Sequence, residues 1–155
     1  MTKKIKLLAP LALAAALGAA PAFAQATGDA EAGAKVFAKC QTCHVVAAAD
    51  GTVLAGKKAK TGPNLYGLPG RALGGYEGFA YGDSIKSLGD GGAVWSEDEF
   101  VAYVADPAKY LKEKTGEKSA KSKMSFKLAK EEEARNVWAF IASLSPAAEA
   151  APATN

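Results

Sequence analysis

The sequence predicts an all-α domain in which a few helices and long loops enclose something other than protein. Three observations carry this. Helical periodicity and capping signals are confined to the two ends and the back third of the chain. Between them, Val45 to Gly92 is rich in Gly, contains Pro63 and Pro69, and has no sustained period, so it reads as loop without strands. A loop of about 50 residues does not stabilise itself. A non-protein filler is therefore expected at the centre.

The elements follow in order. Lys3, Lys4 and Lys6 precede an apolar run from Leu7 to Ala20, and Ala22-Phe23-Ala24 follows. A basic start, a short apolar core and an A-x-A end read as a secretory signal peptide over residues 1–24. The run is interrupted by Pro10 and is shorter than the ~20 apolar residues of a spanning helix. The mature protein is expected to begin near Gln25, to form one domain over 25–145, and to end in an Ala/Pro-rich flexible tail, 146–155. Thr27 or Asp29 can cap a first helix from Ala30 to about Cys40. A short helix is expected near Asp83 to Leu88. Ser96 with Glu99 forms a capping box ahead of Phe100, Val101, Tyr103 and Val104. Asp106-Pro107 restarts the chain as cap and first helical residue, and that helix stops near Gly116. Thr115 to Phe126 is a lysine-rich loop. The last helix runs from about Lys130 to Leu144, with Glu131, Glu132 and Glu133 at its dipole-favoured start.

The whole chain carries 19 Lys and Arg against 16 Asp and Glu. Loss of Lys3, Lys4 and Lys6 with the leader leaves 16 against 16, a neutral mature chain. Its charges are segregated. Glu77 to Asp106 holds seven acids against Lys86, and Lys109 to Lys130 holds eight lysines against Glu113 and Glu117. Such a dipole orients a protein in a partner's field without any net pull. Nucleic-acid binding has no support beyond the lysines, and export argues against it; no second segment is apolar enough for membrane insertion.

Cys40-Gln41-Thr42-Cys43-His44 is C-x-x-C-H, the spacing of c-type haem attachment. Two thiols three residues apart on one turn reach two vinyl groups on one edge of a haem, and the following His rises to the iron. A structural zinc site needs about four Cys or His ligands, and this chain has three. A thioredoxin-like pair expects a βαβ setting. A plain disulfide fits the spacing, although export is also where c-type haem is attached. His44 is the only histidine, so a bis-His haem is impossible. Once Met1 leaves, Met124 is the only methionine and the candidate second axial ligand. It sits in the polar run Lys121-Ser122-Lys123-Met124-Ser125-Phe126, an unsuitable place for a core filler. His/Met ligation suits electron transfer.

With these residues in order, the chain resembles the class I c-type cytochromes, specifically the bacterial periplasmic cytochrome c-two group. The resemblance spans about Gly28 to Leu144. It rests on Gly33 and Phe37 before C-x-x-C-H, Thr61 to Gly67 (TGPNLYG), Gly70-Arg71, Trp95, Tyr103 with Asp106-Pro107, the Lys-Met-Ser-Phe loop and the aromatic last helix. It implies the class I cytochrome c fold, with terminal helices crossing at Gly33, Phe37, Val137 and Phe140. Short helices and long loops would wrap one haem c, held by thioethers to Cys40 and Cys43. It implies a Pro63 carbonyl on the ring N–H of His44, Tyr103 near the Met124 sulfur, and Arg71, Tyr81 and Trp95 on the haem propionates. Lys39, Lys121, Lys123 and Lys127, with Lys57, Lys58 and Lys60 nearby, would ring the exposed haem edge as a docking surface. Two departures stand out. Asp50 to Lys60 is longer than in the compact mitochondrial relatives, and Lys-Ser replaces a proline-containing run before Met124.

A six-coordinate iron leaves no position for substrate. The expected function is that of a soluble, monomeric, periplasmic one-electron carrier rather than an enzyme. Its expected partners are a cytochrome bc-type donor complex and a photosynthetic reaction centre or terminal oxidase as acceptor. A haem enzyme or gas sensor needs a labile sixth ligand, and a non-haem binding module would be colourless.

Overall fold

The computed structural model describes residues 26–145. The leader expected over 1–24, Gln25 and the tail expected over 146–155 lie outside the described residues. Among the described residues, five helices and one small hairpin follow in order: α1 (Ala30–Phe37), β1 (Val45–Ala47), β2 (Val53–Gly56), α2 (Asp83–Asp90), α3 (Glu97–Ala105), α4 (Pro107–Thr115) and α5 (Glu131–Leu144).

Asp29 rather than Thr27 caps α1, its carboxylate accepting from the Glu31 and Ala32 amides at 2.7 and 3.0 Å. This satisfies two of the N–H groups that a helix start leaves orphaned. The helix ends at Phe37, three residues before the expected limit, and passes into tight turns through Cys43. Helices α1 and α5 cross in close contact. A Cβ on Gly33 would lie 1.9 Å from the Asn136 carbonyl oxygen, so only hydrogen lets the two backbones approach this far. Phe37 and Phe140 meet beside it at 5.4 Å between ring centres. The Asn136 side chain also accepts from the Asp29 amide at 2.7 Å, joining the start of α1 to α5.

The expectation of a strand-free middle is corrected. Val45 pairs with Gly56 and Val46 with Ala55 in an antiparallel hairpin, with an irregular register between Val46 and Ala47. Asp50-Gly51 makes the turn, with Gly51 at φ 86° and the Asp50 carboxylate accepting from the Thr52 amide. Aspartate followed by glycine is a hairpin signal, but these strands are too short to show alternation. Further on, Leu73 N donates to Ala93 O at 3.0 Å and Trp95 N to Arg71 O at 2.9 Å. That local pairing sets Arg71 beside Trp95.

At the back of the molecule, α3 and α4 follow their caps. The Ser96 hydroxyl accepts from the Glu99 amide at 3.2 Å, which is half of a capping box. The Glu99 carboxylate does not return to Ser96; it binds the Tyr110 hydroxyl and the Lys114 ammonium on α4 instead. Asp106 caps α4 through the Lys109 amide, and Gly116 ends it at φ 73°. Leu111, Ile141, Val137, Val46 and Leu73 are the most deeply buried large apolar residues. They come from α4, α5, the hairpin and the connecting loops, so the core spans both the helical and the irregular parts.

Candidate cofactor site

One cavity of about 450 Å³ lies between the C-terminal turns of α1, the loop 61–71, Trp95, helix α3 and the loop 121–126. That falls in the range of small-molecule and cofactor sites. Its walls are mainly apolar, from residues such as Leu65, Leu68, Ile85, Phe100 and Val104. Cys40, Cys43, His44, Pro63, Arg71, Tyr81, Trp95, Tyr103 and Met124 all line it, although they span more than half of the chain.

The turns after α1 set the two thiols. Cys40 N donates to Phe37 O at 2.8 Å, Cys43 N to Cys40 O at 3.1 Å and His44 N to Cys40 O at 3.0 Å. The chain thus stays coiled through His44 and presents both cysteines to the same cavity. The thiols are not joined to each other. Burial pushes the Cys40 thiol up to about 11, against the opposing pull of Lys39. A redox-active pair needs a depressed thiol, so this environment does not suit a thioredoxin-like role.

His44 is held by the segment opposite. Its Nδ1 lies 2.9 Å from the Pro63 carbonyl oxygen. A carbonyl only accepts, so Nδ1 carries the proton and Nε2 keeps a free lone pair. Burial lowers the His44 pKa, and the Pro63 bond opposes that shift. The ring is therefore neutral at neutral pH, the form that ligates iron. A Cβ on Gly62 would stand 2.4 Å from His44 Cε1, so a bare glycine packs on the imidazole. Glycine 62 and asparagine 64 were not singled out from sequence for these roles. The Asn64 amide donates to Ala47 O at 2.7 Å, and its oxygen accepts from Ala47 N and Tyr66 N at 3.0 Å each. This ties the proline segment to the hairpin.

Arg71 donates to the Tyr66 and Asn64 carbonyls at 3.0 Å each, with its guanidinium carbon 5.1 Å from the centre of the Tyr76 ring. Its Nε is buried without a partner. Burial lowers the Arg71 pKa, and burial raises the Tyr81 hydroxyl against the pull of Arg71. A buried guanidinium with a donor to spare is costly unless an acceptor meets it. Trp95 and Tyr81 sit on the same cavity.

Met124 is half-buried on the cavity wall. The Tyr103 hydroxyl pairs with the Ser122 hydroxyl at 3.2 Å, and that same oxygen accepts from the Met124 amide at 3.0 Å. Tyr103 thus reaches Met124 through Ser122, a residue the sequence had marked only as the departure from a proline-containing run. Lys123 donates to Ala80 O at 2.7 Å, binding this loop to the segment before α2.

The lysines divide. Lys39, Lys121 and Lys123 lie on the cavity rim, whereas Lys127, Lys57, Lys58 and Lys60 do not line the cavity. Lys39 is paired with Glu133 and Lys127 with Asp106, each at 2.6 Å. Lys121 makes no ion pair among the described residues.

The site fits a haem. It is apolar and offers two thiols, a neutral imidazole with a free lone pair and a thioether. It also has a buried cationic group with one donor unspent, as acidic side groups on such a ring would require. The family comparisons agree. The Cytochrome c model matches residues 30–145. Cytochrome c2 of Fuscovulum blasticum is 66% identical over 130 residues, covering 82% of each chain. Cytochrome c-550 of Paracoccus versutus is 51% identical over 145 residues, covering 91% of this chain and 92% of the relative. The solved cytochrome c2 of Rhodobacter sphaeroides superposes with a TM-score of 0.73 at 54% identity, over 75% of this chain and 95% of that one. From its site, its fold and these likenesses, the chain belongs to the cytochrome c family, as a class I c-type cytochrome of the c2 group with one covalently attached haem c.

Proposed function

We propose that this protein is a soluble periplasmic one-electron carrier. In this reading it takes electrons from a cytochrome bc-type complex and delivers them to a photosynthetic reaction centre, a terminal oxidase or both. Cys40 and Cys43 would hold the haem by thioethers, and His44 Nε2 and the Met124 sulfur would be the iron ligands. The observation that carries the reading is the convergence of these four side chains on one cavity, with His44 Nδ1 already committed to Pro63.

The bound haem supplies one-electron chemistry, cycling between Fe(II) and Fe(III). The chain's own residues keep that cycle cheap. Pro63 and Gly62 fix the imidazole plane, and a ligand fixed by its outer partners needs no reorientation when charge changes. Ser122, hydrogen-bonded to Tyr103, holds the Met124 backbone, doing with hydrogen bonds what a stiff proline run would do. Arg71 Nε, Tyr81 and Trp95 would meet the propionates. The apolar walls exclude water from the ring. Lys39, Lys121 and Lys123, with Lys127 further out, form the docking face; steering by such charges raises encounter rates and weakens with salt. With His44 and Met124 both bound, the iron would have no position left for substrate, which separates a carrier from a haem enzyme.

Visible spectra of the purified, processed protein test this. Sharp low-spin haem c bands on reduction, with the weak red band of Met sulfur on Fe(III) on oxidation, are expected. Loss of that red band in Met124→Leu should accompany carbon monoxide binding. Haem c bands without the red band in the parent protein would remove Met124 as ligand and put the enzyme or sensor reading ahead.

A further inference from the structure

Three aromatic side chains run from the cavity towards the back surface. Trp95 and Tyr103 are both on the cavity wall. Their rings are edge-to-face with centres 5.3 Å apart, and Tyr103 meets Tyr110 in the same way at 5.4 Å. Tyr110 is 4% exposed and does not line the cavity. Its hydroxyl donates to the Glu99 carboxylate, which also binds Lys114. Glu99 and Lys114 have side-chain exposures of 28% and 46%, so the series ends at solvent.

Tyr110 has a feature that the other two lack. The hydroxyl of a tyrosine becomes strongly acidic when the ring loses an electron, so its oxidation is easy only where a base takes the proton at once. The Tyr103 hydroxyl is paired with a serine hydroxyl, a poor base. The Tyr110 hydroxyl is paired with a carboxylate. Lys114 Nζ lies 5.5 Å from the Tyr110 ring centre, and a cation there opposes a positively charged ring. The neutral radical, formed as the proton leaves, is the species this corner tolerates.

We propose that Trp95, Tyr103 and Tyr110 form an escape route for strongly oxidising equivalents from the haem cavity, with Glu99 as the proton acceptor at its outer end. The proposal rests on the haem-carrier reading above. The oxidant is a hydroperoxide that takes its electrons from the reduced protein without binding the iron. Cleavage of its O–O bond to an alcohol (or water) and water consumes two electrons and two protons. One electron would come from the bound haem, whose iron would pass from Fe(II) to Fe(III). The other comes from Tyr110 by way of Tyr103 and Trp95. The Tyr110 proton passes to Glu99, and solvent supplies the two protons taken up at the peroxide oxygens. The radical then rests away from the ring and its thioethers, at a corner where a small reductant in solution can repair it.

The test uses the full haem-bearing protein, whose visible spectrum is checked first. Absence of haem c bands at that stage defeats the carrier reading and this proposal with it. With the bands present, reduced protein is mixed with hydrogen peroxide, frozen rapidly and examined by electron paramagnetic resonance, while haem bleaching is followed by absorbance. The parent should give a tyrosyl radical. Tyr110→Phe should lose most of that signal and bleach several-fold faster. Glu99→Gln, which keeps a hydrogen-bonding partner without the base, should shift in the same direction. Tyr66→Phe, a tyrosine outside the route, should behave as the parent. Thermal unfolding of each variant shows that it is folded. Parent-like radical yield and bleaching in both folded Tyr110→Phe and Glu99→Gln would overturn the proposal.

Discussion

The crossing of α1 and α5 and the wall formed by residues 61–71 and 121–126 are two ways of building the same molecule. At the crossing, protein touches protein directly: glycine against a carbonyl, phenylalanine on phenylalanine, Asn136 on the Asp29 amide. The wall has few such contacts across the cavity. Its residues are held from behind, by Asn64 on the hairpin, by Lys123 on Ala80 and by Ser122 on Tyr103. The crossing is therefore a self-sufficient piece, and the wall is a mould that needs its casting.

Breaking the covalent attachment should separate the two most sharply. In Cys40→Ser/Cys43→Ser, a chain without haem should keep much of its helical circular dichroism while amides of 45–75 and 120–128 lose hydrogen-exchange protection. Equal protection in both regions would contradict the contrast. Next in size, Gly33→Ala drives a methyl into the Asn136 backbone, and the cost should be about 3 kcal/mol in denaturant unfolding of the haem-bearing protein. Asn64→Ala strips three hydrogen bonds from the wall and leaves Ala47 unsatisfied; about 2 kcal/mol is expected, with exchange rising first in the hairpin.

The smaller effects are electrostatic. Burial alone would raise the Glu99 carboxyl, but hydrogen bonds from Lys114 and Tyr110 outweigh it and hold it below its usual range. A depressed carboxyl gives stability that is complete above the unfolded pKa, about 4.3, and lost as pH falls through the folded value. An acid titration should show the α3–α4 corner loosening only below about pH 4.3, with that component absent in Glu99→Gln. Lys39→Ala removes an exposed pair with Glu133; only a small stability loss is expected, together with a weaker salt dependence of electron transfer to a partner. An unchanged salt dependence would remove Lys39 from the docking face.

The same division governs what was legible in the sequence. Features set by neighbours along the chain could be read directly. Asp29, Ser96 and Asp106 cap the helices assigned to them, and the C-x-x-C-H turn needs only local hydrogen bonds. The hairpin is not legible because two strands of three and four residues show no period, although Asp50-Gly51 marks its turn. What depends on distant partners was not legible. Nothing near Glu99 in sequence says that its carboxylate leaves the capping box for Tyr110 and Lys114. Nothing near Arg71 says that two of its nitrogens are spent on backbone carbonyls and the third is not. The resemblance names the residues of the site and the Pro63 support of His44, but the ties through Asn64 and Ser122 depend on partners distant in the chain.

The stretch Gly62 to Leu65 has a consequence of a different kind. Gly62 N donates to Cys43 O and Leu65 N to Val45 O, both at 2.8 Å. Between them Pro63 presents its carbonyl to His44, and Asn64 spans to Ala47. Four consecutive residues are thus tied to the segment 43–47, each with a separate duty: clearance, acceptor, tether and core anchor. Such a ruler has no spare graduation. Single replacements inside it damage one duty at a time, whereas adding or removing one residue misaligns all four together. Changes of length are therefore expected to be tolerated upstream, in the exposed turn around Gly51, and refused here.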